Sequence, residues 1–159
     1  MSRYVFVMHV AATLFMVGLI WFVQIVHYPL LSNVGQAEFP GYETRHVALT
    51  TWVVALPMLT EGATALLLFK YRPPFVPKTY LYCGALLLAI VWLSTAWLQV
   101  PCHDALQAAF TTEVHAQLVA SNWLRTVAWS LRGLLVLAMI MPADTPPAPH
   151  ARSRPSRRA

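Results

Sequence analysis

The chain has 159 residues, of which 58% are apolar and 11% are charged, and its mean hydropathy is +0.56. Soluble domains are typically ~45–50% apolar and ~25% charged, so this composition excludes a soluble single domain. The formal net charge is +5, but four of the eleven basic residues lie in the last eight positions. No RNA- or DNA-binding motif accompanies that basic stretch. We therefore predict contact with the lipid bilayer and its anionic headgroups, and no nucleic-acid partner.

Four apolar segments are long enough to cross a bilayer, which takes ~20 residues of helix. The first contains no Asp, Glu, Lys or Arg from Tyr4 to Tyr28 and has no small-residue cleavage site, so we expect it to be retained. The second is interrupted only by Glu61, and the third stops at Pro101. The predicted membrane-spanning helices cover residues 4–28, 47–69, 79–100 and 118–141.

Polar stretches rich in glycine and proline separate these segments. Residues 31–45 and 71–78 are predicted as loops, and residues 102–111 as a loop or a short interfacial helix. Residues 143–159 are rich in proline and arginine and too polar to bury. They predict a disordered basic tail after a membrane domain of residues 1–142.

The basic residues predict the orientation of the chain. Eight of them flank one side of the predicted helices, against Arg45 alone on the other. The positive-inside rule therefore places both termini, and the basic tail, in the cytoplasm. Four spans joined by short loops favour an all-α fold, a four-helix antiparallel transmembrane bundle.

Two of the predicted helices carry polar side chains on one face. His9 and His27 are 18 residues apart, which is five helical turns, and Thr13 and Gln24 lie close to the same line. Because hydrocarbon excludes polar groups, this face is expected to point inward, with His9 a packed core histidine. A second inward face is predicted on the fourth helix, made of His115, Asn122, Arg125, Trp129 and Arg132.

Glu61 and Arg132 are expected at matching depth. Each lies about 14–15 Å from the cytoplasmic end of its helix, by helical rise. An unpaired charge at such depth costs at least ~2.5–3.5 kcal/mol for the basic member. We predict a structural ion pair between them; the functional alternative is a proton relay or a substrate contact.

Ionisable side chains converge at the non-cytoplasmic mouth of the predicted bundle. Neutral imidazole is the commonest metal ligand, so the candidate metal ligands are His27, His46, His103 and His115. No single helix is expected to present two metal ligands on adjacent turns. Copper, iron, zinc and haem remain open as the cofactor. The candidate cofactor-binding side chains are Gln24, Asn122 and Arg125, the last of which would hold an anionic or a small apolar, quinone-like group.

A second interpretation of the same mouth involves no cofactor. His27 and His46 would then cap their helices and form hydrogen bonds at the membrane interface. His103 and His115 would be solvated loop residues.

The combined motifs resemble a known pattern: Trp21-x-x-Gln24-x-x-His27-Tyr28-Pro29-Leu30, Phe39-x-x-Tyr42-x-x-x-His46, Pro57-x-x-x-Glu61 and Asn122-Trp123-x-Arg125-Thr126-x-x-Trp129-Ser130-x-Arg132. Over residues 4–141 the chain resembles a group of small uncharacterised bacterial four-span integral membrane proteins. This resemblance implies a multi-pass protein of the bacterial inner (plasma) membrane. More distantly, the layout is similar to anthrone-oxygenase-like membrane proteins, and the His9 helix looks like the first span of haem-binding four-span oxidases.

Two classes of function follow from the sequence. The first is a membrane-embedded, metal- or haem-dependent oxidoreductase, or a cofactor-binding subunit, with its site at the non-cytoplasmic mouth. The second is a non-catalytic membrane protein, either a small transporter or an accessory subunit, in which the polar core is structural. The sequence does not decide whether the protein is an enzyme.

Overall fold

Helices make up the regular structure of the part of the chain that is described, residues 2–141 of a computed structural model, and no strand occurs in that part. Four of the helices are long and apolar enough to cross a membrane: α1 (Ser2–Asn33), α2 (Phe39–Tyr71), α3 (Lys78–Ala108) and α4 (Thr112–Ile140). The prediction of an all-α protein with four long apolar helices is confirmed, and it fits an integral membrane protein. The predicted tail, residues 143–159, lies outside the described residues.

The helix α2 begins earlier than the sequence suggests. Residues 31–45 were predicted as one loop, but only the stretch after Asn33 and before Phe39 lacks helix, and α2 already includes Glu43. Pro40 lies in the first turn of α2. A proline is favoured there because the first amide groups of a helix have no intrahelical acceptor. The same residue that suggested a loop therefore helps to start the helix.

Two π-helical turns allow α1 and α3 to continue past prolines. The turns cover Val23–His27 in α1 and Thr95–Gln99 in α3, each ending two residues before a proline. The Val100 amide bonds to the Thr95 carbonyl, five residues back. A proline donates no hydrogen bond and clashes with the carbonyl four residues before it, and the wider turn absorbs that misfit. The prediction that the third helix stops at Pro101 was therefore wrong, because α3 continues to Ala108.

The four helices enclose a common core, in which α1 and α3 each contact both α2 and α4. Three apolar clusters follow one another along this core. The first lies near Arg3, Lys70 and Arg72, and we call it the basic-end cluster. It consists of Phe6, Leu68, Val76, Leu81, Val136 and Met139. The middle cluster consists of Met16, Ile20, Met58, Val91, Ala128 and Trp129. The histidine-end cluster consists of Tyr28, Leu31, Phe39, Cys102, Leu106 and Leu118.

The outer surface of the helices is also apolar. Trp52 is 83% exposed, and Leu56 and Leu66 are each 74% exposed. Soluble monomers rarely expose extended apolar surface, and a larger patch of this kind marks a membrane or a partner. The outward side chains therefore agree with helices that face lipid.

A buried polar layer separates the basic-end cluster from the middle cluster. Arg132 approaches Glu61 through Nε and Nη2, each 2.8 Å from Oε1, and Arg132 also donates to the Gly84 carbonyl. Glu61 accepts two further bonds, from the Thr13 hydroxyl at 2.7 Å and the Trp129 indole at 3.0 Å. Glu61 and Arg132, expected to pair from their matching depths, are thus in direct contact.

The inward face of α1 is confirmed over most of its length. His9, Thr13, Met16 and Gln24 are all buried. His9 lies beside the polar layer, with Nδ1 3.0 Å from the Thr64 hydroxyl. It is therefore a packed, hydrogen-bonded core histidine, as predicted.

Removing one member of the ion pair should strongly destabilise the fold. For Arg132→Ala we expect a loss of about 3–5 kcal/mol in the free energy of unfolding, because the Glu61 carboxylate would stay buried without a cation. Denaturant titration in detergent micelles, followed by circular dichroism, measures this loss. The matched control is Lys70→Ala, at an exposed position. An equal loss in the two variants would contradict the structural role of the pair.

Candidate functional site

A cluster of three potential metal ligands lies at one end of the core. We call this end the histidine end, because His27, His46, His103 and His115 lie there. Glu43 and His46 come from α2, and His103 comes from α3. One ligand atom of each, a carboxylate oxygen or a ring nitrogen, lies within 4.8 Å of the other two. Glu43 and His46 are buried, and His103 is half-buried. Among the described residues, it is the group of His, Cys, Asp and Glu side chains whose ligand atoms lie close enough together to hold one metal ion.

The His46 ring is oriented by two neighbours. Its Nδ1 lies 2.9 Å from Nε2 of His27 and 3.0 Å from the Thr50 hydroxyl. Both contacts engage Nδ1, so Nε2 is the nitrogen left for a ligand. Metal-binding histidines are usually held in this way, by a hydrogen bond at the other ring nitrogen.

His103 connects the carboxylate to a tyrosine. Its Nδ1 lies 2.5 Å from Oε1 of Glu43, and its Nε2 lies 3.0 Å from the Tyr28 hydroxyl. The second carboxylate oxygen of Glu43, Oε2, is buried and has no hydrogen-bond partner. A buried carboxylate oxygen without a partner is costly, and a metal ion would satisfy it.

A cavity of about 110 Å³ lies next to this cluster. Tyr28, His46 and His103 contribute polar groups to its wall. Thr50, Thr95, Gln99 and Arg125 complete the polar lining, and the rest is apolar: Met16, Leu19, Ile20, Val23, Val47, Val54 and Val100. The cavity therefore presents a few polar groups on an apolar wall, as small-molecule sites do.

Arg125 brings a buried positive charge to this cavity. The residue is 7% exposed, and no carboxylate of the described residues forms a salt bridge with it. Its Nη1 donates to the Asn122 side chain at 3.3 Å, its guanidinium lies 5.2 Å from the Trp129 ring centroid, and the Tyr28 hydroxyl is a further neighbour. Its Nε has no partner. The charge is thus held by neutral groups alone.

The two π-helical turns lie at the level of the cavity. Val23 from the first turn, and Thr95 and Gln99 from the second, line it. The Gln99 side-chain oxygen is buried and has no partner. Single-turn π segments inside α-helices frequently occur at functional sites, and here both widen their helices beside the same space.

Gln24 and Asn122, predicted to bind a cofactor, form a hydrogen-bonded chain that ends on Arg125. The Gln24 side-chain oxygen accepts bonds from Asn122 at 2.9 Å and from Thr126 at 3.2 Å, and its amide donates to the Val119 carbonyl. Neither Gln24 nor Asn122 lines the cavity. Their bonding capacity is used between α1 and α4, which fixes the position of Arg125.

The structure divides the four predicted histidine ligands. His46 and His103 belong to the cluster with Glu43, whereas His27 contacts it only through His46. His115 lies outside it, because its Nε2 bonds to the Tyr28 carbonyl at 2.8 Å. The assignment of His27 and His115 as direct ligands thus stays a prediction: His27 contacts the His46 ring, and His115 bonds to the Tyr28 backbone outside the cluster.

Glu43 is the member of this cluster that the sequence analysis did not name as a candidate metal ligand. Glu43-x-x-His46 places two ligands one helical turn apart, a spacing that metal sites in helical proteins use. This Glu-x-x-His spacing is present in the sequence, and because α2 begins at Phe39 both residues lie on one helix. The expectation that no helix presents two potential ligands on adjacent turns is therefore wrong.

Comparison with family models, with curated proteins and with solved structures gives no match to this chain. The resemblance to small bacterial four-span membrane proteins therefore stays a prediction. Function has to be inferred from the geometry of the side chains.

Removing the Gln24 amide should destabilise the protein moderately. In Gln24→Leu the Asn122 side-chain amide loses its acceptor inside the core, whereas Thr126 keeps the Asn122 carbonyl. A buried donor without a partner costs about 1–3 kcal/mol. The free energy of unfolding in detergent measures this effect. Gln117→Leu, at an exposed position, is the matched control and should change it by less than about 0.5 kcal/mol. An unchanged Gln24 variant would show that the network does not stabilise the core.

Proposed function

We propose that this protein is a membrane-embedded metal-dependent oxidoreductase. Its divalent transition-metal ion would be bound by Glu43, His46 and His103 and would face the cavity lined by Arg125. The observation that carries the proposal is the convergence of one carboxylate and two imidazoles within 4.8 Å, two of them fully or nearly buried. Such a cluster is costly to bury without an ion.

The donor set favours particular metals. Two histidines and one carboxylate with open coordination positions are typical of non-haem Fe(II) oxygenases, and zinc enzymes also use a His₂Glu set. When bound, such an ion supplies redox or Lewis-acid chemistry at its open positions. The protein supplies the orientation of His46 through His27 and Thr50, and the histidine and carboxylate ligands would bind the ion in their deprotonated forms.

The size of the cavity favours an ion over haem. The cavity measures about 110 Å³, whereas drug-sized ligands occupy pockets of about 300–1,000 Å³. A porphyrin belongs to that larger class and does not fit beside the three ligands. Of the cofactors that the sequence left open, a single metal ion agrees best with this space.

A transporter is less well supported than a fixed site. Transport needs a continuous polar route, but the middle cluster lies between the cavity and the Glu61 layer. Trp129 connects the two regions, contacting Arg125 and donating to Glu61. An indole nitrogen only donates a hydrogen bond, so it cannot relay a proton.

We also propose that the helices form an antiparallel bundle in a bacterial inner membrane, with both termini cytoplasmic. The pairs His9–Thr64 and His27–His46 support this arrangement, since residue numbers rise along α1 while they fall along α2. Basic side chains at the end of the helices opposite the histidine end support the orientation: Arg3, Lys70, Arg72 and Lys78.

Metal analysis tests the proposed function. Purified protein should contain close to one transition-metal ion per chain by mass spectrometry. Glu43→Gln, His46→Ala and His103→Ala should each weaken metal binding at least about tenfold. His115→Ala is the matched control, because it removes a histidine of the same end that lies outside the cluster. Wild-type protein that neither contains nor takes up Fe(II), Zn(II) or Co(II) would overturn the proposal.

Nitric oxide binding tests whether the metal has an open position. Fe(II)-loaded protein should form a nitrosyl adduct with the electron paramagnetic resonance signal of a high-spin iron–nitrosyl centre, because three protein ligands leave positions free. His103→Ala should lose that signal, whereas His115→Ala should keep it. An Fe(II)-loaded protein that gives no adduct would contradict an open site.

The orientation predicts the behaviour of carboxyl-terminal fusions. With both termini in the cytoplasm, a fused green fluorescent protein should fluoresce and a fused alkaline phosphatase should be inactive. The positive-inside rule is the physical reason. The reverse pattern would show that the orientation is inverted, while leaving the metal proposal intact.

A further inference from the structure

A groove on the outer surface lies beside the cavity of the proposed metal site. It measures about 180 Å³ and lies between α1 and α2. Four of its lining residues also line the cavity, namely Leu19, Val23, Thr50 and Val54. The remaining groove residues are Phe22, His27, Leu49 and Val53. These shared side chains therefore form one wall between the cavity and the outer surface, and Val100, which is 47% exposed, lines the cavity on the side of α3.

We propose that the ligand of this site is a lipid-soluble molecule with a small oxygen-bearing head, which reaches the cavity sideways from the bilayer between α1 and α2. The head would accept hydrogen bonds from Arg125, and the apolar body would lie in the groove. This inference deepens the proposed function and rests on it for its chemistry, since the head would lie beside the metal ligands.

Arg125 is the first reason for an oxygen-bearing head. Its guanidinium carries a fixed positive charge in a site where it has only neutral partners, and its Nε is buried without a partner. A buried charge of this kind is costly unless it is paired. A carboxylate, a phenolate or a quinone carbonyl would supply the missing acceptor.

The size of the cavity limits that head. A cavity of roughly 150 Å³ holds one benzene ring, and the present cavity measures about 110 Å³. It therefore suits a carboxylate or, with a small adjustment of Val54 or Leu19, a single ring. A longer apolar body has to extend beyond the cavity, and the groove offers it an apolar wall.

The histidine-end cluster favours the sideways route. Tyr28, Leu31, Phe39 and Leu118 are fully or almost fully buried at this end. This apolar packing excludes water from much of the histidine end, which favours a ligand that arrives dissolved in the bilayer. The groove offers such a ligand a wall that it shares with the cavity.

The binding test uses metal-free protein in nanodiscs, so a failure here is distinct from a failure of metal binding. The probes are decanoate and a decyl-substituted benzoquinone, which carry heads, and decane, which carries none. Equilibrium binding above empty nanodiscs should be measurable for one or both headed probes and at least about tenfold weaker for decane, because a hydrogen bond to a charged group is lost. Preference for decanoate or for the quinone distinguishes an anionic from a neutral head.

Arg125→Gln should weaken binding of the headed probe at least about tenfold and leave decane unchanged. Arg45→Gln, which removes an exposed arginine, is the control and should bind like wild type. Equal binding of headed probes by wild type and Arg125→Gln would overturn the role of Arg125. Equal binding of decane and the headed probes would show a lipid groove without head recognition, which also overturns the proposal.

The route is tested by the rate of binding, followed with the quinone as a quencher of tryptophan fluorescence. Val54→Trp should slow association severalfold by filling the shared wall, and Val54→Ala should speed it severalfold by opening that wall. Leu93→Trp places the same bulk on a different exposed surface and should have no effect. If both Val54 variants associate at the wild-type rate, the ligand does not pass between α1 and α2. The alanine variant keeps this test decisive if the tryptophan variant folds poorly.

Discussion

The hydrogen-bonding requirement of buried polar groups governs this structure, because hydrocarbon offers them no partner. The Glu61 layer meets that requirement for the carboxylate, whereas Nη2 of Arg132 is buried 2.8 Å from Oε1 without a hydrogen bond. The carboxylate binds Arg132 and accepts bonds from Thr13 and Trp129, so side chains from α1, α2 and α4 meet at one acceptor. Its charge and its lone pairs are used by neighbours in the core, which is why we interpret this layer as structural.

The histidine end meets the same requirement incompletely. Oε2 of Glu43, the side-chain oxygen of Gln99 and Nε of Arg125 are all buried without a hydrogen-bond partner. They lie around or beside one cavity, and they include both an anionic and a cationic group. A metal ion would bind the unpaired carboxylate oxygen, and an oxygen-bearing ligand would accept a hydrogen bond from the unpaired guanidinium nitrogen. The contrast with the Glu61 layer is the physical basis for placing function at this end.

The π-helical turns explain how the chain makes room for that site. A regular helix would have ended or kinked at Pro29 and Pro101, but each wider turn carries the helix past its proline. The turns move Val23, Thr95 and Gln99 to the cavity wall, and α3 continues far enough to bring His103 against Glu43. The prolines thus shape the cavity through the backbone.

The sequence by itself determined the number and apolar character of the four helices, since the length and composition of each segment depend on local residues alone. It also predicted the contact between Glu61 and Arg132, because helical rise converts residue number into depth. It did not indicate that Glu43 lies with His46 and His103 in one cluster, or that His115 lies outside that cluster. Only the tertiary structure decided these, because the Glu43–His103 contact joins residues 60 positions apart in the chain. Which polar groups share a cavity depends on how the helices pack, and no local pattern of residues encodes that packing.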